Sequence, residues 1–258
     1  YPRVLGIEAA GVIDSDPSGT FQPGQQVVTL MGGMGREFDG SYAEFTCVPS
    51  DQIIPFTSDL DWSLIGAVPE MLQTAYGSLT VGLDAQPGQS ILIRGGTSSV
   101  GMAAAVLAKR LGLTVLATTR NPDRSAALTR IGVDHVLLDD GAVAAQVRRY
   151  FPDGVDLALE LVGTPTLPDT LRATRVHGTV CFTGMLSQQW SVPDFYPIDY
   201  LPSGVRLTAY TGGASDLPQA VLQGFLDDAA AGTLTIPLVR TYRLEDVAQA
   251  HRDMEASA

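Results

Sequence analysis

The sequence predicts an α/β fold: a doubly wound parallel sheet with helices on both faces, joined to a smaller β-rich part. Three observations lead there. From Ser90 onward, short apolar runs alternate with segments of helical period, the pattern of strand–helix–strand crossovers. A glycine turn, Gly95-Gly96-Thr97-Ser98-Ser99-Val100-Gly101, connects the first of these runs to an alanine-rich segment. Before residue 70 the apolar runs are short and split by Pro and Gly, which suits antiparallel strands better than crossovers.

Taken in order, the β-rich part is expected to hold strands at 10–13, 26–30, 43–49 and 52–55 and a brief helix at 61–67. The sheet then follows, with strands at 91–93, 114–118, 134–138, 155–161, 179–183 and 206–210. Between them helices are expected at 100–111, from Pro122 to about 131, at 142–150 and at 166–174. Asn121-Pro122 reads as an N-cap followed by proline in the first turn. The tail returns to helical spacing at 217–231 and 244–256, with a strand at 236–242 between. Domain boundaries are therefore expected at 1–70, 71–215 and 216–258, the last segment packing with the first.

Composition narrows the partners. A formal charge of −12 disfavours nucleic acid or an anionic membrane, which both call for clustered Lys and Arg. A small molecule with apolar character is the expected partner. No stretch reaches the roughly 20 apolar residues of a membrane helix, and the start at Tyr1-Pro2-Arg3 has no signal-peptide core. Cys47 and Cys181 both lie in apolar, strand-like runs and are expected to be buried thiols in a reducing compartment, so a cytoplasmic location is expected. Lys109 is the only lysine among sixteen Lys and Arg residues. It rules out a Tyr-x-x-x-Lys pair, since position 105 is Ala, and Met102 stands where a P-loop would need its lysine.

The segment from Ile91 to Arg120 then reads as a dinucleotide-binding βαβ unit. Backbone N–H groups of the glycine turn can approach a pyrophosphate, and the positive end of the helix dipole faces the same charge. Ser98 and Ser99 occupy positions where glycine is frequent; their hydroxyls could donate to phosphate or simply cap the helix. The end of the second strand chooses the coenzyme. An NAD site usually carries Asp or Glu there, whereas this chain has Thr118-Thr119-Arg120 and then Arg124, a neutral and cationic end suited to a 2′-phosphate. NADP(H) is the expected cofactor, and Asp123, behind a proline, is read as part of the helix start.

With these residues placed, the chain resembles the medium-chain dehydrogenase/reductase superfamily, specifically its zinc-independent, quinone oxidoreductase-like and enoyl reductase-like branch. The resemblance runs through Leu5-Gly6-Ile7-Glu8-Ala9-Ala10-Gly11, Phe21-Gln22-Pro23-Gly24, Gly40-Ser41-Tyr42-Ala43-Glu44-Phe45, Gln73-Thr74-Ala75-Tyr76, the glycine turn, Gly154-Val155-Asp156 and Tyr242-Arg243-Leu244-Glu245-Asp246-Val247. It implies a Rossmann sheet plus a GroES-like β-rich domain, incomplete at the amino terminus because relatives carry a further segment there and a closing strand after the tail helix. It also implies pairing through the last strand of the sheet, hence a homodimer.

The resemblance carries site residues with it. Gln73 and Thr74 are expected near the nicotinamide. Gly163 and Thr183-Gly184-Met185 are expected on the cofactor side of the strand ends. Gly95, Gly96, Thr97, Ser98, Ser99 and Val100 would meet the pyrophosphate, and Thr119, Arg120 and Arg124 the adenosine phosphate. Zinc-dependent relatives place His before the glutamate of the first motif, where this chain has Ile7, and its two Cys and three His are scattered, so no metal is expected. The activity implied is NADPH-dependent, metal-independent reduction of a quinone or an α,β-unsaturated carbonyl by hydride transfer. No residue of the sequence identifies itself as the proton donor. A non-catalytic NADPH-binding scaffold or sensor therefore stays open. The loop Met31 to Phe38 reads equally as a lid over an apolar substrate or as a hairpin with Met and Phe packed inward.

Overall fold

The structure, a computed structural model, describes residues 2–236 and 238–256. They form two compact units, one made of the chain up to Glu70 together with the chain from Gly213, the other spanning Met71–Gly212.

In the first unit, β1 (Glu8–Val12), β2 (Gln26–Leu30) and β3 (Ile53–Pro55) form a three-stranded antiparallel sheet in the order β1-β2-β3. Val28 and Leu30 on β2 are fully buried, the apolar side of a strand paired on both edges. The helix α1 (Trp62–Ile65) starts at Asp61, whose carboxylate accepts from the Ser63 amide. The expected strand over 43–49 is not present: the segment makes no ladder, and Cys47 is exposed rather than buried. Strand propensity needs an edge to pair with, and the stretch that does bond to the chain before β1 is the one ahead of it, where the amides of Gly40, Ser41 and Tyr42 donate to the carbonyls of Val4, Gly6 and Leu5. The loop after β2 takes the inward-packed form, with Met34 fully buried and the Gly35 amide bonded to the Phe38 carbonyl.

The chain passes into the second unit along α2 (Pro69–Gly77), which continues as a π-helical turn over Ser78–Gly82. Sequence reasoning named Gln73 and Thr74 but no helix here. Its signals were Pro69 at the first position with Glu70 behind it; the Ser, Thr and Gly content that follows hid them. Then come β4 (Ser90–Arg94), α3 (Ser99–Arg110), β5 (Thr114–Thr119), α4 (Ser125–Arg130), β6 (His135–Leu138), α5 (Val143–Val147), β7 (Val155–Glu160), α6 (Leu167–Ala173), β8 (Thr174–Phe182), α7 (Pro197–Tyr200) and β9 (Arg206–Ala209). The six strands form one parallel sheet in the order β6-β5-β4-β7-β8-β9.

Each strand of the centre is buried on both faces. One face packs Leu92, Leu116, Ala158 and Val180 against Val143, Val147, Leu167 and Leu171 of α5 and α6, each large side chain contributing about 1.5–3 kcal/mol by its burial. Along α3, Ala103, Ala104, Ala105 and Ala108 are buried, and their small side chains let that helix lie close to β4 and β5.

Two boundaries moved. The helix expected over 142–150 is only α5, because the Ala142 amide is taken by Asp140 and the chain turns at Tyr150 and Phe151 ahead of Pro152. β8 begins five residues before the expected strand at 179–183 and so takes in His177. His177 has a left-handed backbone (φ 66°), and the ladder shifts register between Val155 and Leu157 opposite it.

From residue 213 the chain forms α8 (Gln219–Ala230) and α9 (Val247–Glu255). The described residues between 236 and 242 form no strand, and Pro237 lies outside the described residues; the Leu238 amide closes a tight turn on the Ile236 carbonyl. Among the described residues no helix is long and apolar enough to cross a membrane.

Candidate cofactor site at the carboxyl ends of the sheet

The strand order reverses direction between β4 and β7, and a ligand crevice in such sheets lies outside the carboxyl ends of the strands at that switch point. The glycine turn follows β4 and Gly163 follows β7, so two of the predicted stretches meet there.

The turn is built by close approach. A Cβ at Gly101 would lie 2.4 Å from the Gly95 carbonyl oxygen, and one at Gly96 would lie 2.8 Å from the Ala117 Cβ, so both positions require glycine sterically. Gly95 has φ 86°, and its amide donates to the Thr118 hydroxyl while the Gly96 amide donates to the Thr118 carbonyl. Ser98 is the N-cap of α3: its hydroxyl accepts from the Gly101 amide at 3.0 Å and donates to the Gly95 carbonyl at 2.8 Å. That hydroxyl is committed to the turn. The amides of Ser99 and Val100, in the first turn of α3, have no acceptor among the described residues and sit at the positive end of the helix. Thr97 is half-buried beside them.

At the end of β5 the Thr119 hydroxyl is closed on Asn121, donating to its carbonyl and accepting from its amide, and Thr119 is buried. Arg120 and Arg124 are exposed and make no ion pair with a described residue. Asn121 caps the short 3-10 turn Pro122–Arg124 by accepting from the Asp123 amide, which places Asp123 in the helix start.

Gln73, Thr74 and Thr183 are also brought together, through a residue that sequence reasoning missed. The Ser78 hydroxyl donates to the Thr74 carbonyl at 2.7 Å and pairs with the Thr183 hydroxyl at 2.9 Å. Gln73, fully buried, donates to the Tyr210 hydroxyl at 2.6 Å and accepts from the Thr74 hydroxyl at 3.2 Å. Thr183 continues the chain to Cys181, whose thiol burial pushes upward in pKa. Gly184 bonds back to the Glu160 carbonyl, and Met185 lies half-buried after it.

The largest feature absent from the sequence reading is ionic. Arg94, the last residue of β4, is fully buried and donates to both carboxylate oxygens of Asp139 (2.9 and 2.8 Å), to Asp169 at 2.7 Å and to the Thr170 hydroxyl at 3.3 Å. Burial works against its charge, but the bonds to Asp139 and Asp169 and the field of Glu160 outweigh it and hold the guanidinium above its ordinary range. Glu160 ends β7 directly beside Arg94. Burial pushes its carboxyl upward against hydrogen bonds from Thr170, Gly163 and Thr166. The available signal was a charged residue closing each of two otherwise apolar strands, Ile91-Leu92-Ile93-Arg94 and Leu157-Ala158-Leu159-Glu160.

In the first unit, Glu8 accepts from the Glu70 amide at 2.8 Å. Burial, opposed by that bond and reinforced by the Glu70 charge, raises its carboxyl from 4.5 to about 7. The folded chain thus holds this proton more tightly than the unfolded chain. The contribution to stability is full below pH 4.5 and is lost as pH rises through about 7, a change of about 3 kcal/mol at most. The uncharged variant Glu8→Gln is expected to gain on the wild type in unfolding free energy between pH 5 and pH 8, measured by urea denaturation. Parallel pH profiles for the two proteins would contradict this.

An open cavity of about 780 Å³ lies at the opposite end of the sheet, where β8 begins, lined by Arg148, Arg172 and Arg175 among others. It includes none of the predicted residues. Its arginines are engaged, Arg148 with the Pro152 and Arg172 carbonyls, Arg172 with Asp169, and Arg175 with Asp156.

Known proteins share this architecture. The family model described as zinc-binding dehydrogenase matches residues 99–226. A putative quinone oxidoreductase of Bacillus subtilis is 28% identical over 88% of this chain and 73% of its own length. The 2-haloacrylate reductase of a Burkholderia species is 26% identical over 98% of this chain and 78% of its own. Among solved structures, a mycobacterial protein complexed with NADPH superposes with a TM-score of 0.83 at 25% identity, covering 99% of this chain and 81% of its own. The Escherichia coli quinone oxidoreductase complexed with NADPH gives a TM-score of 0.85 at 19% identity, over 100% of this chain and 80% of its own, a likeness of fold. The expected fold, a Rossmann-type parallel sheet with a small antiparallel GroES-like sheet, is the one observed. The expected resemblance to the medium-chain dehydrogenase/reductase superfamily, in its quinone oxidoreductase-like branch, is borne out by these relatives.

Proposed function

We propose that the chain is an NADP(H)-dependent oxidoreductase that reduces a quinone or an α,β-unsaturated carbonyl without a metal. One observation carries the reading: at the switch point of the sheet a sterically obligatory glycine turn leaves the Ser99 and Val100 amides without acceptors among the described residues, and the neighbouring strand is followed by Arg120 rather than a carboxylate. The amides suit a pyrophosphate, and Arg120 with Arg124 suits a 2′-phosphate. Thr119 is turned inward and supports that end through its hydroxyl, which is closed on Asn121. NADPH, when bound, supplies the hydride. The polar chain Tyr210, Gln73, Thr74, Ser78 and Thr183 fixes amide and hydroxyl groups on the cofactor side before any substrate arrives, so they need no reorganisation to accept or donate.

The names of the relatives support the substrate class: a 2-haloacrylate carries a conjugated double bond, and quinones share its electron-poor carbon. For metal independence, the support is the donor set. Ile7 precedes Glu8, and among the described residues no three His, Cys, Asp or Glu side chains cluster as ligands. A homodimer is supported by β9, an edge strand paired among the described residues with β8 alone, and by Leu186, Trp190 and Ile198 exposed in the preceding stretch.

The test is NADPH and NADH fluorescence titration of the wild type and Arg120→Ala, followed by nicotinamide absorbance with quinone and enone panels. Arg120→Ala is expected to lose about 10- to 100-fold of its preference for NADPH, the worth of one or two charge-assisted hydrogen bonds. An unchanged preference would move the phosphate contact elsewhere. Tight binding with no NADPH oxidation across both panels would replace the enzyme by a binding protein.

A further inference from the structure

Glu160 makes contacts that no purely buried ion pair needs. Its Oε1 accepts from three donors, the amides of Val162 (2.8 Å) and Gly163 (3.0 Å) and the Thr166 hydroxyl (2.9 Å). Its own backbone carbonyl accepts from the amides of Thr183 (3.0 Å) and Gly184 (3.1 Å). Its neighbour across the ladder is Arg94, the residue before Gly95, and the Thr170 hydroxyl touches both, donating to Glu160 Oε2 at 2.5 Å and lying 3.3 Å from Arg94. The three stretches beyond the strand ends are also in van der Waals register: a Cβ on Gly95 would meet Leu161, Leu186 and Val162 at 3.2–3.5 Å. Gly163 itself has φ 123°, a conformation other residues rarely hold, so the turn depends on glycine there.

We infer that Glu160 is a positioning residue for the nicotinamide end of the site, its carboxylate setting the Val162–Gly163 turn and its carbonyl setting Thr183–Gly184 against the glycine turn. The inference rests on the proposed NADP(H) reading. A carboxylate oxygen with three convergent donors fixes a turn in direction as well as distance, which an apolar residue of the same size would not do. Arg94 keeps the strand end at the right height by binding the same Thr170. Adenosine and 2′-phosphate contacts at β5 lie outside this arrangement, so loss of Glu160 should be felt at one end of the coenzyme only.

That asymmetry is the test. Wild type, Glu160→Ala and Glu160→Gln are titrated with NADPH and with 2′-phospho-ADP-ribose, which lacks the nicotinamide, and each variant's thermal unfolding is recorded. Glu160→Ala is expected to weaken NADPH about tenfold more than 2′-phospho-ADP-ribose, and Glu160→Gln, which keeps an acceptor oxygen, to recover to within about threefold of the wild type. Equal weakening of both ligands, or a Gln variant no better than Ala, overturns the inference and leaves Glu160 a structural residue. Should Glu160→Ala fail to fold, Thr166→Val removes one of the three donors and is expected to show the same selectivity at about two- to threefold; none would overturn it. A wild type that binds neither ligand overturns the NADP(H) reading itself, a result separable from the others because it needs no variant.

Discussion

Replacing Arg94 with methionine is expected to lower the unfolding free energy by about 3–5 kcal/mol, the cost of stripping a buried ionic cluster of its central, fully buried cation. Methionine fills most of the stem's volume, so the loss is electrostatic in origin. Asp139 and Asp169 then face each other and Glu160 without the guanidinium that donates to them at 2.7–2.9 Å. Glu160 would lose the Arg94 charge that opposes the upward push of burial on its carboxyl and so hold a proton more tightly in the folded chain, making the deficit largest at neutral pH and smaller as pH falls. Urea denaturation at pH 7 and pH 5 reads both effects. Adding Asp169→Asn to Arg94→Met should recover part of the loss, because it removes one of the unpaired charges, although Asp169 also caps α5 through the Val143 and Ala144 amides. A deficit under about 1 kcal/mol at pH 7 would mean that water reaches the cluster and screens it.

Gly101→Ala should be the most damaging single methyl for coenzyme binding. Its Cβ would meet the Gly95 carbonyl oxygen at 2.4 Å and the Gly96 Cα at 2.9 Å. Both obstacles are backbone, so no side chain can step aside, and α3 must lift away from the turn. The expected result is a loss of at least about tenfold in NADPH affinity with a stability cost of about 1–3 kcal/mol for the overpacked contact. Gly11→Ala is the control, since a Cβ there meets nothing within 4 Å. Wild-type NADPH affinity in Gly101→Ala would remove the turn from the binding site.

How far the sequence could be read depended on whether its signals were local. The crossovers from Ser90 onward were legible because periodicity, glycine turns and caps such as Asn121 are written in neighbouring residues. The strand expected over 43–49 failed for the opposite reason, since only a partner edge distinguishes an extended segment from a strand, and none of its pairing is local. The start of β8 fell short of His177 because a bulge is a property of two strands together. The same holds within the site. The glycine turn could be seen in the order of its residues, but Ser98's commitment to Gly95 and Gly101, Ser78's bridge from Thr74 to Thr183, and the Arg94 cluster depend on pairings across the fold. Arg94 and Asp169 stand 75 positions apart, too far for any spacing rule to connect them.

That separation governs how the second unit comes together. Arg94 arrives with β4, Asp139 with the end of β6, Glu160 with β7 and Asp169 with α6. A sheet assembled without α6 would hold a dehydrated guanidinium beside too few acceptors, a state less favourable than leaving β4 in water. Half-built versions of this sheet are therefore penalised, since only docking of α6 supplies the Asp169 and Thr170 oxygens that complete the Arg94 guanidinium.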